Sequence, residues 1–288
     1  MKDLSPSDSS IFNSFFLAHV KESNRADIQK LAVHLLEAGE LAASFTAKIG
    51  LHDVGCVLGL LHDFGKYCTE FQTYIKSATG VIDQDDEEWV DHTLLKGRID
   101  HSTAGAQYVY QKLSSFGGAG QGELCGQILA LCIASHHSGL IDCLDEEGKN
   151  NFDRRINKDD ARTHFSECLE NADEVIKNSA DTLLNVGLVQ EMFQAIFKFV
   201  DKPKSGRLFS HEESFTLGVF TRFLFSCLID ADRINSAEFE EPERKILREK
   251  QQAYFDWDIA IERLEQKLAS FEIENPIDVI RKKYQMNV

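Results

Sequence analysis

The stretch Gly59-Leu60-Leu61-His62-Asp63-Phe64-Gly65-Lys66 constrains this chain more than any other. An apolar run, Val57 to Leu61, ends directly in an imidazole and a carboxylate. Polar groups drawn into a core without partners are costly, so the fold must bring something to His62 and Asp63. A nitrogen ligand beside an oxygen ligand makes a metal ion a fitting partner. Gly65 is expected to permit a tight turn, and Lys66 to return a cation to the same neighbourhood.

Composition narrows the frame. The 288-residue chain is 43% apolar, enough for one large domain or two small ones. Few prolines and long stretches of Leu, Ala, Glu, Lys and Gln favour an all-α protein; the expected architecture is a helical bundle around a buried metal centre, for which the case follows from the ligand types and the family resemblance given below. A net charge of -16 argues against a general nucleic-acid coat, which carries a broad basic face. It leaves room for a nuclease whose metals offset the charge. Seven scattered cysteines, with no C-x-x-C pair, fit a reduced intracellular protein rather than a disulfide framework or zinc knuckle. Residues 1–8 lack a signal-peptide core, and no apolar run approaches the ~20 residues that cross a bilayer. The expected location is the cytoplasm. The one clear boundary is near Asn275-Pro276, giving a single domain over 1–274 and a tail over 275–288.

Helical periodicity places the other polar candidates. Residues 27–48 read as a helix with Leu31, Leu35, Ala38, Ala42 and Phe45 on one face, and His34 beside that stripe points inward. A second helix should run from about Val54 into His62-Asp63, and a third over Thr69–Lys76. Residues 77–100, with Asp83, Asp85, Asp86, Glu87 and Glu88, read as a solvated loop. Asp100-His101-Ser102 precedes a helix over 103–113, with Ser102 or Thr103 suited to cap it. The glycine-rich 114–122 lacks the Lys-Ser/Thr of a phosphate loop. An apolar helix, Glu123–Ser135, ends in His136-His137. Helices are then expected at 160–185, 188–200 and 214–234, the last carrying Asp230 and Asp232, with one long helix from Glu243 to Phe271.

Each of these residues has an ordinary alternative. Tandem histidines interact with a helix dipole, and Asp232 can pair with Arg233. Together they describe a metal centre. Imidazoles and carboxylates without thiolates suit Mn, Fe, Co, Ni or Zn rather than a structural zinc. His34, His62, Asp63 and Asp232 would hold one ion. Asp63 could bridge to a second, held by His101, His136 and His137. Two ions ~3.5–4 Å apart clamp a phosphate and turn water into hydroxide, and Lys66 would stabilise charge building on the phosphoryl oxygens. The chemistry is phosphoester hydrolysis, with Asp63 and Lys66 in the catalytic roles.

The order His34, His62-Asp63, Asp232 resembles the signature of the HD superfamily of metal-dependent phosphohydrolases. The fuller text is more specific. Leu60 to Lys66 followed by Phe71-Gln72-Thr73-Tyr74, Asp100 to Ala106, and Ile133-Ala134-Ser135-His136-His137-Ser138-Gly139 are similar to the HD nuclease domain of the CRISPR-associated nuclease–helicase of type I interference systems. So is Leu17-Ala18-His19 ahead of His34-Leu35. The likeness covers roughly residues 15–240, and the tail 275–281 resembles the segment leading into the helicase. The resemblance implies a metal-dependent nuclease acting on single-stranded DNA, with two divalent ions (Mn, Ni, Co, Fe or Mg). Its implied partners are a helicase module and a guide-RNA surveillance complex, with no membrane. It implies the same seven ligands and Lys66. Asp230 remains an alternative to Asp232, and His19 to His34. The chain has no G-K-[ST] phosphate loop, which implies a stand-alone subunit or an excised domain.

Two other readings share the metal logic: a phosphohydrolase of dNTPs or cyclic dinucleotides, and a binding scaffold without activity. No Gly-Tyr-Pro signature follows, which weighs against the cyclic-dinucleotide version, and the intact ligand set weighs against the scaffold. A nuclease needs an open groove, for which Lys96, Arg98, Arg154, Arg155, Lys202, Lys204 and Arg207 are candidate linings.

Overall fold

A computed structural model describes residues 16–21, 23–95, 97–116, 120–198, 210–252, 256–273 and 275–285. The chain divides into two compact units, residues 1–241 and 242–288.

The first unit opens with β1 (Leu17–Val20) and β2 (Ile28–Lys30), an antiparallel pair with His19 opposite Gln29 and Val20 opposite Ile28. The expected helix over 27–48 therefore loses its first turn to a strand. It begins at α1 (Leu31–Thr46), whose buried face holds Leu31, Leu35, Ala38 and Ala42 together with His34. A short turn leads into α2 (His52–Leu61). These two helices pack closely because a Cβ on Gly59 would collide with the main chain of Ala38 and Gly39. A 3₁₀ turn over Phe64–Tyr67 joins α2 to α3 (Thr69–Thr79).

After α4 (His92–Leu95), α5 (Thr103–Ser114) and α6 (Gln121–Ser135) pack side by side. Short helices follow: α7 (Asn151–Ile156), α8 (Asp160–Thr163), α9 (Phe165–Asn171), α10 (Glu174–Leu183) and α11 (Val186–Ile196). The single helix expected over 160–185 is thus three. His164 sits in the left-handed region at φ 52° between α8 and α9, and Ala172 is extended between α9 and α10. Both conformations end a helix.

Helix α12 (His211–Glu240) outruns its expected length at both ends. Ser210 and Glu213 form a capping box at its start, and Pro242, which has no N–H to continue the ladder, follows its end. By length and composition α12 could cross a membrane, contrary to the expectation that no run comes close. Here its Phe220, Leu224, Leu228 and Ala231 are buried in the core, and it packs on α1, α2 and α6.

In the second unit the expected single helix is two, α13 (Glu243–Gln252) and α14 (Trp257–Ala269), the latter capped by Asp256. Pro276, expected to open a tail, is the first residue of α15 (Pro276–Gln285). Ile246, Trp257 and Leu264 are exposed.

Candidate metal centre

Helix ends converge on Asp63. It lies two residues past the end of α2, its side chain is 1% exposed, and its two oxygens face different neighbours. Oδ2 lies 3.5 Å from His34 Nε2, 3.3 Å from His62 Nε2 and 2.7 Å from Lys66 Nζ. Oδ1 lies 3.2 Å from His136 Nε2, 3.7 Å from His101 Nε2 and 3.8 Å from His137 Nε2. Asp232, on α12, completes the first group at 3.5 Å from both His34 Nε2 and His62 Nε2. The seven expected ligands therefore form two clusters that share Asp63, each with its ligand atoms within 4.8 Å of one another. Asp230 is exposed and takes no place in either.

Secondary structure aims the rings. His62 Nδ1 donates to Gly59 O at 2.8 Å, and His136 Nδ1 to Ile133 O at 2.7 Å, each three residues back where its helix ends. His101 Nδ1 donates to Ile99 O at 3.2 Å. His34 Nδ1 instead meets a side chain, Asn235 Oδ1, at 2.7 Å. With Nδ1–H occupied, each Nε2 faces the carboxylates, the arrangement that metal-binding histidines adopt. His101 Nε2 is buried and has no hydrogen-bond partner among the described residues. A polar atom stranded beside a carboxylate and two more imidazoles has the donor chemistry of a cation site, so the residues present fit a divalent metal.

The two clusters differ in protonation. Burial would lower His62, but the charges and hydrogen bonds of Asp63 and Asp232 outweigh it and push the ring up to about 10. Burial would likewise raise Asp63, but Lys66 and His62 hold it well below the usual carboxylate range. Against the same burial, His62 keeps Asp232 low. In the other cluster burial dominates: His101 falls to about 3 and His136 is lowered too, leaving both neutral and available as ligands.

The surrounding residues explain the motif text. Gly65 does not serve a positive φ turn. A Cβ there would strike the main chain of His101, whose carbonyl accepts from Gly65 N at 3.1 Å. This close approach seats His101 against Asp63. Phe71 stacks on the His101 ring at 4.8 Å and lies under Lys66 Nζ at 5.5 Å. Gln72 ties β1 to the loop, bonding Leu17 through both ends of its amide and Lys66 O at 2.8 Å.

Other expectations change. His19, weighed against His34, belongs to neither cluster. Its ring packs on that of His34 at 4.9 Å and its Nε2 meets Ser236 Oγ at 3.2 Å, and burial lowers it to about 3. The helix α5 is capped by Asp100, which accepts from Thr103 N at 3.0 Å, not by Ser102 or Thr103. Arg155 is not a groove residue. It turns inward to Ser102 Oγ at 2.7 Å, Ala134 O at 3.2 Å and Asp100. Arg98 and Arg154 are exposed, while Lys96, Lys202, Lys204 and Arg207 lie outside the described residues. Directly after His137 a cleft of about 580 Å³ opens, with Asp142, Asp145 and Glu146 in its wall. That wall repels a bare phosphate chain.

Asn235 went unnoticed in the sequence. It lies three residues after Asp232 on α12, the spacing that shares a helix face, as Glu37 lies three after His34 on α1. That shared spacing was the available signal.

Residues 12–200 match the family described as Cas3, HD domain. The match takes in His34, the His62 to Lys66 stretch, His101, His136 and His137, and ends before Asp232. No curated relative matches the sequence.

Proposed function

Because this chain belongs to the Cas3 HD-domain family, the metal-dependent HD nucleases of CRISPR systems, we propose that it hydrolyses the phosphodiester bonds of single-stranded DNA in type I antiviral interference. The observation that carries the reading is the pair of ligand clusters sharing Asp63. His34, His62, Asp63 and Asp232 would hold one divalent ion, and Asp63, His101, His136 and His137 a second. Ions bound there would polarise a phosphoryl oxygen and make water a better nucleophile at neutral pH.

The protein's own residues do the rest. Asp63 sets the spacing of the two clusters, since each of its oxygens serves one of them. Lys66, 2.7 Å from Asp63 Oδ2, keeps a positive charge at the edge of the centre where phosphoryl charge would build. His137, with about half of its side chain exposed, stands where a strand would enter. The acidic wall beside it turns the phosphate chain toward the other side. A helicase module and a guide-RNA surveillance complex would deliver the strand in the cytoplasm, and the net charge of -16 agrees with DNA binding that depends on bound cations.

The test is a substrate panel: circular single-stranded DNA, duplex DNA, RNA and dNTPs, each with Mn, Ni, Mg or chelator. The expected result is cutting of the circular single strand in the presence of a divalent ion and none with chelator. Preferential hydrolysis of dNTPs would reassign the chain to the small-nucleotide phosphohydrolases.

A further inference from the structure

We infer that Asn235 is a positioning residue of the centre, holding His34 in the tautomer that turns the Nε2 lone pair toward Asp63 and Asp232. The inference rests on the metal reading of the site, but its geometry stands separately. Three of the histidines, His62, His101 and His136, have Nδ1 fixed by main-chain carbonyls. Those bonds survive any side-chain substitution. His34 alone among these four is held by a side chain, Asn235 Oδ1 at 2.7 Å.

A side-chain amide can present either end, so something must orient it. Asn235 Nδ2 donates to Glu37 Oε2 at 2.7 Å, and a carboxylate offers only acceptors. The amide nitrogen therefore faces Glu37, and the oxygen faces His34. Gln29 Nε2 agrees with this orientation, donating to the same Asn235 Oδ1 at 2.8 Å and to Glu37 Oε2 at 3.3 Å. An acceptor opposite His34 Nδ1 requires that this nitrogen carry the proton, leaving Nε2 free for an ion. Asn235 is 4% exposed, so water does not substitute for it. Gln29 stands on β2, Glu37 and His34 on α1, and Asn235 on α12 one turn beyond Asp232. One helix thus supplies a carboxylate to the centre and orients an imidazole of the neighbouring helix. The small β-pair has a role in this, because β2 presents Gln29 to the network.

Side chains that hydrogen-bond the far nitrogen of a ligating histidine change metal affinity about 10–100-fold. In the full chain, Asn235→Leu should weaken Mn binding at the cluster of His34, His62, Asp63 and Asp232 by about that factor. The cluster of His101, His136 and His137 should change far less. The paired change Asn235→Asp with Glu37→Gln reverses donor and acceptor between those two residues yet still offers His34 an acceptor, and should restore most of the affinity. Imidazole nitrogen NMR on metal-free protein reads the tautomer directly. It should show the proton on Nδ1 of His34 in the parent and the double variant, and loss of that fixed tautomer in Asn235→Leu. Unchanged Mn affinity and an unchanged tautomer in a folded Asn235→Leu protein would overturn the inference. So would a double variant as weak as Asn235→Leu. If the parent itself bound no ion, the metal reading would fall, and the NMR measurement would still decide whether Asn235 governs the tautomer.

Discussion

Asp63→Asn is expected to abolish metal-dependent cleavage while leaving the far-UV circular dichroism of the protein unchanged. The substitution keeps the shape of the side chain and one oxygen. It removes the charge that both clusters share, and it turns an NH₂ group toward one of them. Whichever cluster meets that group faces a donor where it needs an acceptor: Lys66 and His62 on the Oδ2 side, or His101 and His136 on the Oδ1 side. Losing one such preorganised electrostatic element costs ~10²–10³-fold in rate, and here two ions depend on it. The number of bound Mn ions should fall as well. Cleavage within a few-fold of the parent, with the parent's metal stoichiometry, would remove Asp63 from the centre of the account.

The second large effect concerns pH. His62 is pushed up to about 10 by Asp63 and Asp232, so it carries a proton at neutral pH that an ion must displace. Metal affinity at that cluster should rise about tenfold per pH unit through the neutral range and level off near pH 10, because one proton leaves for each ion bound. The other cluster starts from neutral rings, His101 at about 3 and His136 lowered, and should show little dependence over the same range. Without metal the direction reverses. A histidine raised from 6.5 to about 10 contributes stability that is complete below pH 6.5 and is lost as pH rises through about 10. Asp63 and Asp232 are depressed, so their share is present above their ordinary value of 3.8 and is lost as pH falls through their lowered ones. His19, His101 and His136 are held below their ordinary 6.5, so their share is complete above 6.5 and is lost as pH falls beneath it. Metal-free protein should therefore be most stable near pH 6.5 and lose stability in both directions. Calorimetric titrations in buffers of different ionisation enthalpy measure the proton released. A pH-independent affinity at both clusters would contradict a protonated His62.

Much of the centre was legible because its residues sit where periodicity speaks. His34 follows the inward stripe of α1, and His62-Asp63 and His136-His137 end apolar helices. What escaped had no local mark. Ile28-Gln29-Lys30 continues the helical pattern of α1 in sequence, but it pairs with Leu17–Val20 as a strand. The break at His164 needs a left-handed residue that composition does not announce. The bonds of Asn235 to His34 and Gln29 join residues 201 and 206 positions apart. Gly65 does lie in a turn, the 3₁₀ stretch Phe64–Tyr67, but the need for glycine there comes from the fold: its missing Cβ admits the His101 main chain. Arg155 looked like surface charge because only the fold shows Ser102, Ala134 and Asp100 turned toward it.

Anomalous diffraction from crystals grown with Mn tests the shared-carboxylate centre most directly. The account predicts two peaks ~3.5–4 Å apart, with Asp63 between them, His34, His62 and Asp232 on one, and His101, His136 and His137 on the other. A single ion, or two ions neither of which touches Asp63, would contradict it.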